Sequence, residues 1–300
     1  MIVADTLQQA AHASGTLTLG GNLKVYRLGL GTMRITGDGI WGPPANKQEA
    51  LALLHRALEL GINLLDTADS YGPEVSEELI AEALYPYPQG LVIATKGGLL
   101  RTGPGQWPAD GSPKHLREAL EGSLRRLRLE RIDIYQFHRP DPKVPFEDSV
   151  GEIAKMQGEG KIRHVGLSNV TLDELARAQQ IVPIVTVQNH YNLAKRQSEH
   201  MTVEQSEEMI DTCARQGIGF IPWSPLSAGD LGRPSDPLGQ IAKRHNAGPS
   251  QVALAWLLQR SSTMLPIPGT SSVKHLEENV QGASLKLSQE EFDEINRSSK

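Results

Sequence analysis

Cysteine is almost missing from this 300-residue chain: Cys213 stands alone. A single thiol cannot close an internal disulfide, so the fold must rest on packing, as suits a reducing cytoplasm. Cys213 itself reads as a small hydrophobe on a helix. An excess of either charge is lacking too. Thirty basic and 35 acidic side chains leave a formal net charge of −5, without the broad footprint that nucleic acid or an anionic membrane needs, so a small soluble partner is expected. No stretch approaches the roughly 18 consecutive apolar residues of a membrane span. Residues 1–15 show neither a basic leader nor an apolar block, so nothing suggests export and a cytoplasmic location is expected.

Hydrophobic residues make up 39% of the chain, enough to bury a full core. No low-complexity segment, charge block or linker divides it, and one domain over residues 1–300 is the expectation. A strand-then-helix alternation recurs along nearly the whole length, which argues a parallel sheet. Residues 16–19 and 24–26, around Gly20-Gly21-Asn22, read as a β-hairpin because that turn needs positive φ, and such a hairpin would cap one end of a barrel. Eight short apolar runs follow, at 28–31, 63–66, 91–95, 132–137, 164–168, 184–189, 218–223 and 263–267. Amphipathic stretches such as 47–60, 114–129, 171–181 and 250–260 lie between them, with start and stop signals that include Thr171 and Gly61. Eight βα units can close into a ring, whereas doubly wound sheets usually carry five to seven strands. The predicted fold is a (β/α)8 TIM barrel with an N-terminal β-hairpin cap.

In such a barrel, polar residues at the C-terminal strand ends face the mouth where active sites are built. Here the second run ends in Asp66 and is followed by Thr67-Ala68-Asp69-Ser70-Tyr71-Gly72, the third leads to Lys96 and the fourth to His138. A phenol with an ordinary pKa of about 10 is a poor proton donor at neutral pH unless a nearby cation lowers that value. Lys96 could supply the cation, Asp66 could keep the amine charged, and His138 could polarise a carbonyl. Such a site protonates an oxygen while hydride arrives at carbon, yet holds no hydride itself, so it implies a nicotinamide cofactor. Singly each residue has a plainer reading as a cap, a solvated side chain, a core hydrogen bond or a loop anchor. Four complementary groups on consecutive units favour the chemistry.

The segments Asn63-Leu64-Leu65-Asp66-Thr67-Ala68-Asp69-Ser70-Tyr71-Gly72, Ala94-Thr95-Lys96, Asp133-Ile134-Tyr135-Gln136-Phe137-His138-Arg139-Pro140-Asp141-Pro142 and Gly160-Lys161-Ile162-Arg163-His164-Val165-Gly166-Leu167-Ser168-Asn169 resemble the aldo-keto reductase family, in order and over most of the chain. The resemblance implies a catalytic tetrad of Asp66, Tyr71, Lys96 and His138, and reduction of an aldehyde or ketone with NADP(H). It places Gly31, Thr32 and Met33 in the loop under the nicotinamide, Ser168, Asn169 and Gln188 at its carboxamide, and Trp223 against its ring, with Ser224 and Leu226 following. Ile267, Gly269, Thr270 and Ser271 precede a helix over 274–280 whose first backbone amides suit a phosphate, and Glu278 and Asn279 match adenine contacts. Many members place Arg four residues before that Asn to hold the 2′-phosphate. This chain has His275, preceded by Lys274, so NAD(H) stays open as the lesser expectation.

Two motifs point elsewhere. Gly37-Asp38-Gly39-Ile40-Trp41-Gly42 matches a dinucleotide fingerprint, but 34–36 separate it from a strand and Pro43-Pro44 from a helix, so it reads as a flexible loop over the mouth. Tyr191-Asn192-Leu193-Ala194-Lys195 mimics the Tyr-x-x-x-Lys of short-chain dehydrogenases, the rival enzyme class, without a helical pattern around it. A cofactor-sensing regulatory subunit is the rival outside enzymes, since fold does not settle function. No metal is expected, because the nine histidines show no paired ligand spacing at a strand end. His115, His190 and His245 read as surface or structural. Substrate walls are expected from Trp41, Trp107 and the segment 227–236. Trp41-Gly42-Pro43-Pro44, Tyr71-Gly72-Pro73 and Ala83-Leu84-Tyr85-Pro86-Tyr87 resemble a bacterial branch containing pyridoxal reductases, which makes pyridoxal a candidate substrate.

Overall fold

The computed structural model describes residues 8–227 and 236–298, so most of the expected wall segment 227–236 lies outside the described residues. The hairpin forms as β1 (Thr16–Leu19) and β2 (Leu23–Tyr26), antiparallel with Leu19 opposite Leu23. Gly20 and Gly21 turn the chain at φ 54° and 75°. A Cβ on Gly20 would also sit 2.2 Å from the His164 ring, so both the turn and the close approach require glycine there.

Strand and helix then alternate. β3 (Leu30–Gly31), α1 (Lys47–Glu59), β4 (Leu64–Asp66), α2 (Val75–Leu84), β5 (Val92–Gly97), α3 (Pro113–Leu127), β6 (Ile132–Phe137) and α4 (Phe146–Gly158) form the first half. β7 (Ile162–Ser168), α5 (Leu172–Gln179), β8 (Ile184–His190), α6 (Val203–Gln216), β9 (Gly219–Trp223), α7 (Pro237–Arg244), α8 (Pro249–Arg260), α9 (Val273–Gln281) and α10 (Gln289–Ser298) complete it. The helix starts follow local chemistry: Asn46, Ser112, Thr171 and Thr202 each accept a bond from the backbone three residues on, and Thr171 and Thr202 form full capping boxes with Glu174 and Gln205.

The strands from β3 to β9 pair in parallel in chain order as one curled sheet. The expected eighth strand over 263–267 is not a strand: it makes one parallel bridge, Met264 beside Phe220. Pro266 and Pro268 have no N–H to give a ladder, which is why the run stays irregular. The segment still closes the ring, because Leu265 N donates to Phe220 O at 2.8 Å and Gly29 N donates to Pro266 O at 3.0 Å. The architecture is that of the (β/α)8 barrel.

Strand alternation divides the core in two. Leu64, Val92, Ala94, Ile134, Val185, Ile221, Leu265 and Ile267 form one buried cluster with Leu19, Leu23 and Val25 of the hairpin, so the hairpin plugs the barrel floor. Leu65, Ile93, Tyr135 and Val187 join the larger cluster beneath the helices. Each fully buried aliphatic side chain contributes about 1.5–3 kcal/mol. The same alternation carries the inner face on to Asp66, Lys96 and Gln136, and a register irregularity that leaves Val185 unpaired between Ile184 and Thr186 brings Gln188 to that face too, so the lining turns from apolar to polar on approaching the mouth.

Both rival motifs lose their structural context. Residues 37–42 fold into a 3-10 turn, Asp38–Ile40, closed by Gly37 N donating to Gly42 O at 2.9 Å, and no helix follows before α1. The stretch is not the free loop expected, since Trp41 forms an isolated bridge with Gly72. Residues 191–195 are not helical, and Tyr191 Oη is engaged at 2.6 Å by Glu207.

Candidate active site

The four residues singled out from sequence meet at the barrel mouth. Lys96 is fully buried, and its Nζ donates to Asp66 Oδ1 at 2.6 Å, to the Thr67 carbonyl at 2.8 Å and to Tyr71 Oη at 3.4 Å. Asp66 is buried with it, and its Oδ2 accepts from Gln188 Nε2 at 2.7 Å and Gln136 Nε2 at 3.0 Å. The carboxylate is thus satisfied on both oxygens, the condition for keeping a charge inside a protein. The Tyr71 ring stands edge-on to His138 at 6.0 Å and to Trp107 at 6.4 Å between centroids.

Burial favours the neutral Lys96 amine, but the charge of Asp66, the nearby Tyr71 and the hydrogen bonds to both raise its pKa above the ordinary value, so the ammonium persists. Tyr71 corrects the sequence expectation. Burial is the largest influence and holds the phenol above its ordinary pKa, with Lys96 pulling downward and Asp66 upward. The hydroxyl therefore keeps its proton at neutral pH. The ammonium lowers the cost of losing it without making the resting phenol acidic. Burial, then the charges of Lys96 and Arg139, push His138 well below the ordinary imidazole pKa, so its ring is neutral. Ser70 Oγ lies 3.4 Å from His138 Nδ1.

Around this centre lie the residues matched to cofactor contacts. Gly31 ends β3 beside Asp66, and a Cβ there would meet the Ile267 carbonyl at 2.7 Å. Thr32 is buried, with N and Oγ1 donating to Asp66 O at 2.9 Å and 3.0 Å, and Met33 opens the 3-10 turn Met33–Ile35. Across the mouth, Ser168 ends β7, and Asn169 Nδ2 donates to the His138 carbonyl at 3.0 Å and to Ser168 Oγ at 3.1 Å. Trp223 Nε1 donates to Asn169 Oδ1 at 3.0 Å. Ser224 and Leu226 follow, half-buried. Thr270 is buried and accepts from Ser272 N at 3.0 Å, Ser271 and His275 are exposed, and Gly269 packs against the Gly31 carbonyl. Ser272 caps α9, which carries Glu278, 3.7 Å from Lys274, and buried Asn279. The set fits a nicotinamide dinucleotide in kind: amide and hydroxyl groups at the mouth, a half-exposed indole beside them, and a helix start flanked by Lys274 and His275.

Several contributors escaped the sequence reading. Gln136 lies two residues before His138 on the same inward face, so strand alternation alone could have found it. His190, read as structural, backs Trp223 at 4.3 Å between ring centroids, and His245 ties α7 to Glu291 of α10 at 2.9 Å. His115 is half-buried with Nε2 unpartnered among the described residues.

Asp69, two residues before Tyr71, is buried with Oδ1 unpartnered among the described residues. Burial first, then the like charge of Glu77, push its carboxyl up to about 8, against Arg126 and the bonds from Ser70. Its folded pKa lies above its ordinary 3.8, so the folded state binds the extra proton in between, and stability falls as pH rises through that window. Asp69→Asn is expected to flatten the decline. Urea unfolding midpoints at about pH 5 and pH 8 check this, and an unchanged pH slope in the variant contradicts it.

The comparisons agree with the geometry. The Aldo/keto reductase family profile matches residues 27–300. An uncharacterized oxidoreductase of Schizosaccharomyces pombe is 51% identical over 97% of this chain and 92% of its own. Pyridoxine 4-dehydrogenase of Escherichia coli is 43% identical, over 93% and 96%. Among solved structures, a thermostable aldo-keto reductase in complex with the inhibitor epalrestat superposes with a TM-score of 0.81 at 31% identity, covering 94% of this chain and 98% of that one. An aldo/keto reductase from Klebsiella pneumoniae in complex with NADP and acetate gives 0.77 at 26%, covering 94% of each. This chain belongs to the aldo/keto reductase family and is an oxidoreductase of the carbonyl-reducing type.

Proposed function

We propose that this protein uses NADPH to reduce an aldehyde or ketone to an alcohol, with Tyr71 as the proton donor. The observation that carries the reading is Lys96, buried inside the barrel with its ammonium shared between Asp66 at 2.6 Å and the Tyr71 hydroxyl at 3.4 Å. NADP(H) is the dinucleotide found with the Klebsiella pneumoniae relative, and when bound it supplies or accepts the hydride. Ser168, Asn169, Gln188 and Trp223 would hold its nicotinamide end, with Gly31, Thr32 and Met33 below. Ile267, Gly269, Thr270, Ser271 and His275 would take the phosphates, and Glu278 and Asn279 the adenine. At present Asn169 is engaged by Trp223 and Gln188 by Asp66, so both amides would exchange partners on binding.

The chain's own groups complete the reaction. The neutral His138 can donate a ring N–H hydrogen bond to the substrate carbonyl oxygen. As hydride reaches the carbonyl carbon, that oxygen takes the Tyr71 proton, and the tyrosinate left behind is stabilised by the Lys96 ammonium. Reversal oxidises the alcohol with the same groups. Trp41 and Trp107 would wall the substrate. The likeness to pyridoxine 4-dehydrogenase makes pyridoxal the first substrate to test. In an NADPH-oxidation screen over aldehydes, turnover is expected, with pyridoxal among the better substrates and NADH a weaker reductant. NADPH binding without turnover of any carbonyl contradicts the catalytic reading and favours a cofactor sensor.

A further inference from the structure

The mouth of the barrel is fastened by a residue outside the catalytic group. Arg101, in the loop between β5 and α3, loses basicity through burial, with no carboxylate acting on it among the described residues. Its guanidinium instead serves backbone carbonyls from three segments. Nη1 donates to Ser70 O at 2.7 Å and Ile40 O at 2.8 Å, Nη2 to Gly39 O at 3.3 Å, and Nε to Gln106 O at 3.1 Å. Its flat face lies 3.6 Å from the centroid of the Trp107 ring and 5.4 Å from that of Trp41.

We infer that Arg101 is a positioning residue which holds the two indoles in fixed register against the proton-donor loop, whose Tyr71 hydroxyl Lys96 engages independently, and so decides which wall-contacting carbonyls reach Tyr71 productively. One bond ends on the carbonyl of Ser70, the residue immediately before Tyr71, and the Ser70 hydroxyl meets His138 at 3.4 Å. The same planar head holds the 3-10 turn that carries Trp41 and stacks on Trp107, whose ring meets Tyr71 edge-on. Wall and donor loop therefore share this anchor. Only a rigid fork of five N–H donors with a stacking face can make these bonds together, and a lysine ammonium, a point charge with a round donor set, cannot replace it. A flat aromatic aldehyde that leans on the indoles depends on the register, while a two-carbon aldehyde that reaches Tyr71 without touching them does not.

The inference rests on the proposed carbonyl reduction and is tested with Arg101→Met and Arg101→Lys, using benzaldehyde and acetaldehyde. NADPH affinity, read by fluorescence titration, is expected to stay within about twofold of the wild type. Benzaldehyde kcat/KM is expected to fall by about thirtyfold or more, chiefly through KM, in both variants, and acetaldehyde kcat/KM by less than about threefold. Methylguanidinium should restore part of the benzaldehyde activity of Arg101→Met. An equal loss with both aldehydes, or an Arg101→Lys variant that behaves as the wild type, overturns the inference. Acrylamide quenching of tryptophan fluorescence supplies a readout independent of turnover. Quenching should increase in Arg101→Met and cease to respond to that substitution once Trp41 and Trp107 are both phenylalanine. No increase overturns the inference even if the chain reduces neither aldehyde, whereas a wild type that reduces no aldehyde at all, with the quenching change present, counts against the proposed function instead.

Discussion

Tyr71→Phe is expected to fold, to bind NADPH as the wild type does, and to lose turnover by about a hundredfold to ten-thousandfold, the range that general acid catalysis contributes. The substitution removes one hydroxyl and little else. The phenyl ring can keep its edge contacts with Trp107 and His138, and Lys96 retains Asp66 and the Thr67 carbonyl. Because the proton is needed only as the hydride arrives, the loss should appear in kcat and kcat/KM alike, with KM nearly unchanged. Steady-state NADPH oxidation with a reduced aldehyde, beside a fluorescence titration of NADPH, measures both halves. Turnover within about threefold of the wild type contradicts the assignment of Tyr71 as the general acid.

Asp66→Leu is expected to destabilise the fold by about 3–5 kcal/mol, because it leaves the Lys96 ammonium buried without its counter-charge. The Asp66→Leu, Lys96→Met double variant should recover most of that loss, since an apolar pair in place of a buried ion pair is often close to neutral for stability. Lys96→Met alone should fall between the two. Asp66 would lose one donor yet keep Gln136 and Gln188 on its other oxygen, whereas the ammonium would keep the Thr67 carbonyl at 2.8 Å and only the longer 3.4 Å contact with the Tyr71 hydroxyl. Urea denaturation of the three variants closes the cycle. If the double variant is as unstable as the sum of its parts, the two side chains are not coupled and the described ion pair has no energetic weight. All three should be nearly inactive, so the stable double variant would show that this polar layer serves chemistry more than folding.

Much of the barrel was readable from period and punctuation. The run over 132–137 coincides with β6, and Thr171 opens α5 because its hydroxyl can take the backbone N–H of Glu174, a purely local event. The eighth run misled because its apolar content promised a strand while Pro266 within it and Pro268 just beyond it withheld ladder bonds. The meeting of the four residues proposed for the chemistry was legible for a similar reason: each lies at or just past an inward-facing strand end, and their chemical types complement each other. What sequence could not reach was the balance of opposing effects. Lys96 beside Tyr71 suggests an acidified phenol, yet burial outweighs the ammonium, and burial is decided by the whole mouth. Arg101 was invisible for another reason: its four carbonyl partners belong to three segments up to 62 positions away in the chain. No spacing or periodicity encodes such a meeting. The GxGxxG-like stretch shows the converse, a motif whose residues match but whose flanks build a clamped turn rather than a strand-to-helix corner.

The most direct test of the account compares single-turnover NADPH oxidation in water and in deuterium oxide at saturating aldehyde, for the wild type and for Tyr71→Phe. If the Tyr71 proton moves as the hydride does, the wild type is slower in deuterium oxide and the slow residual reaction of Tyr71→Phe has lost that particular difference. A solvent effect of the same size in both proteins would mean that the proton comes from elsewhere, and that the lysine-supported phenol at the barrel mouth is not the acid.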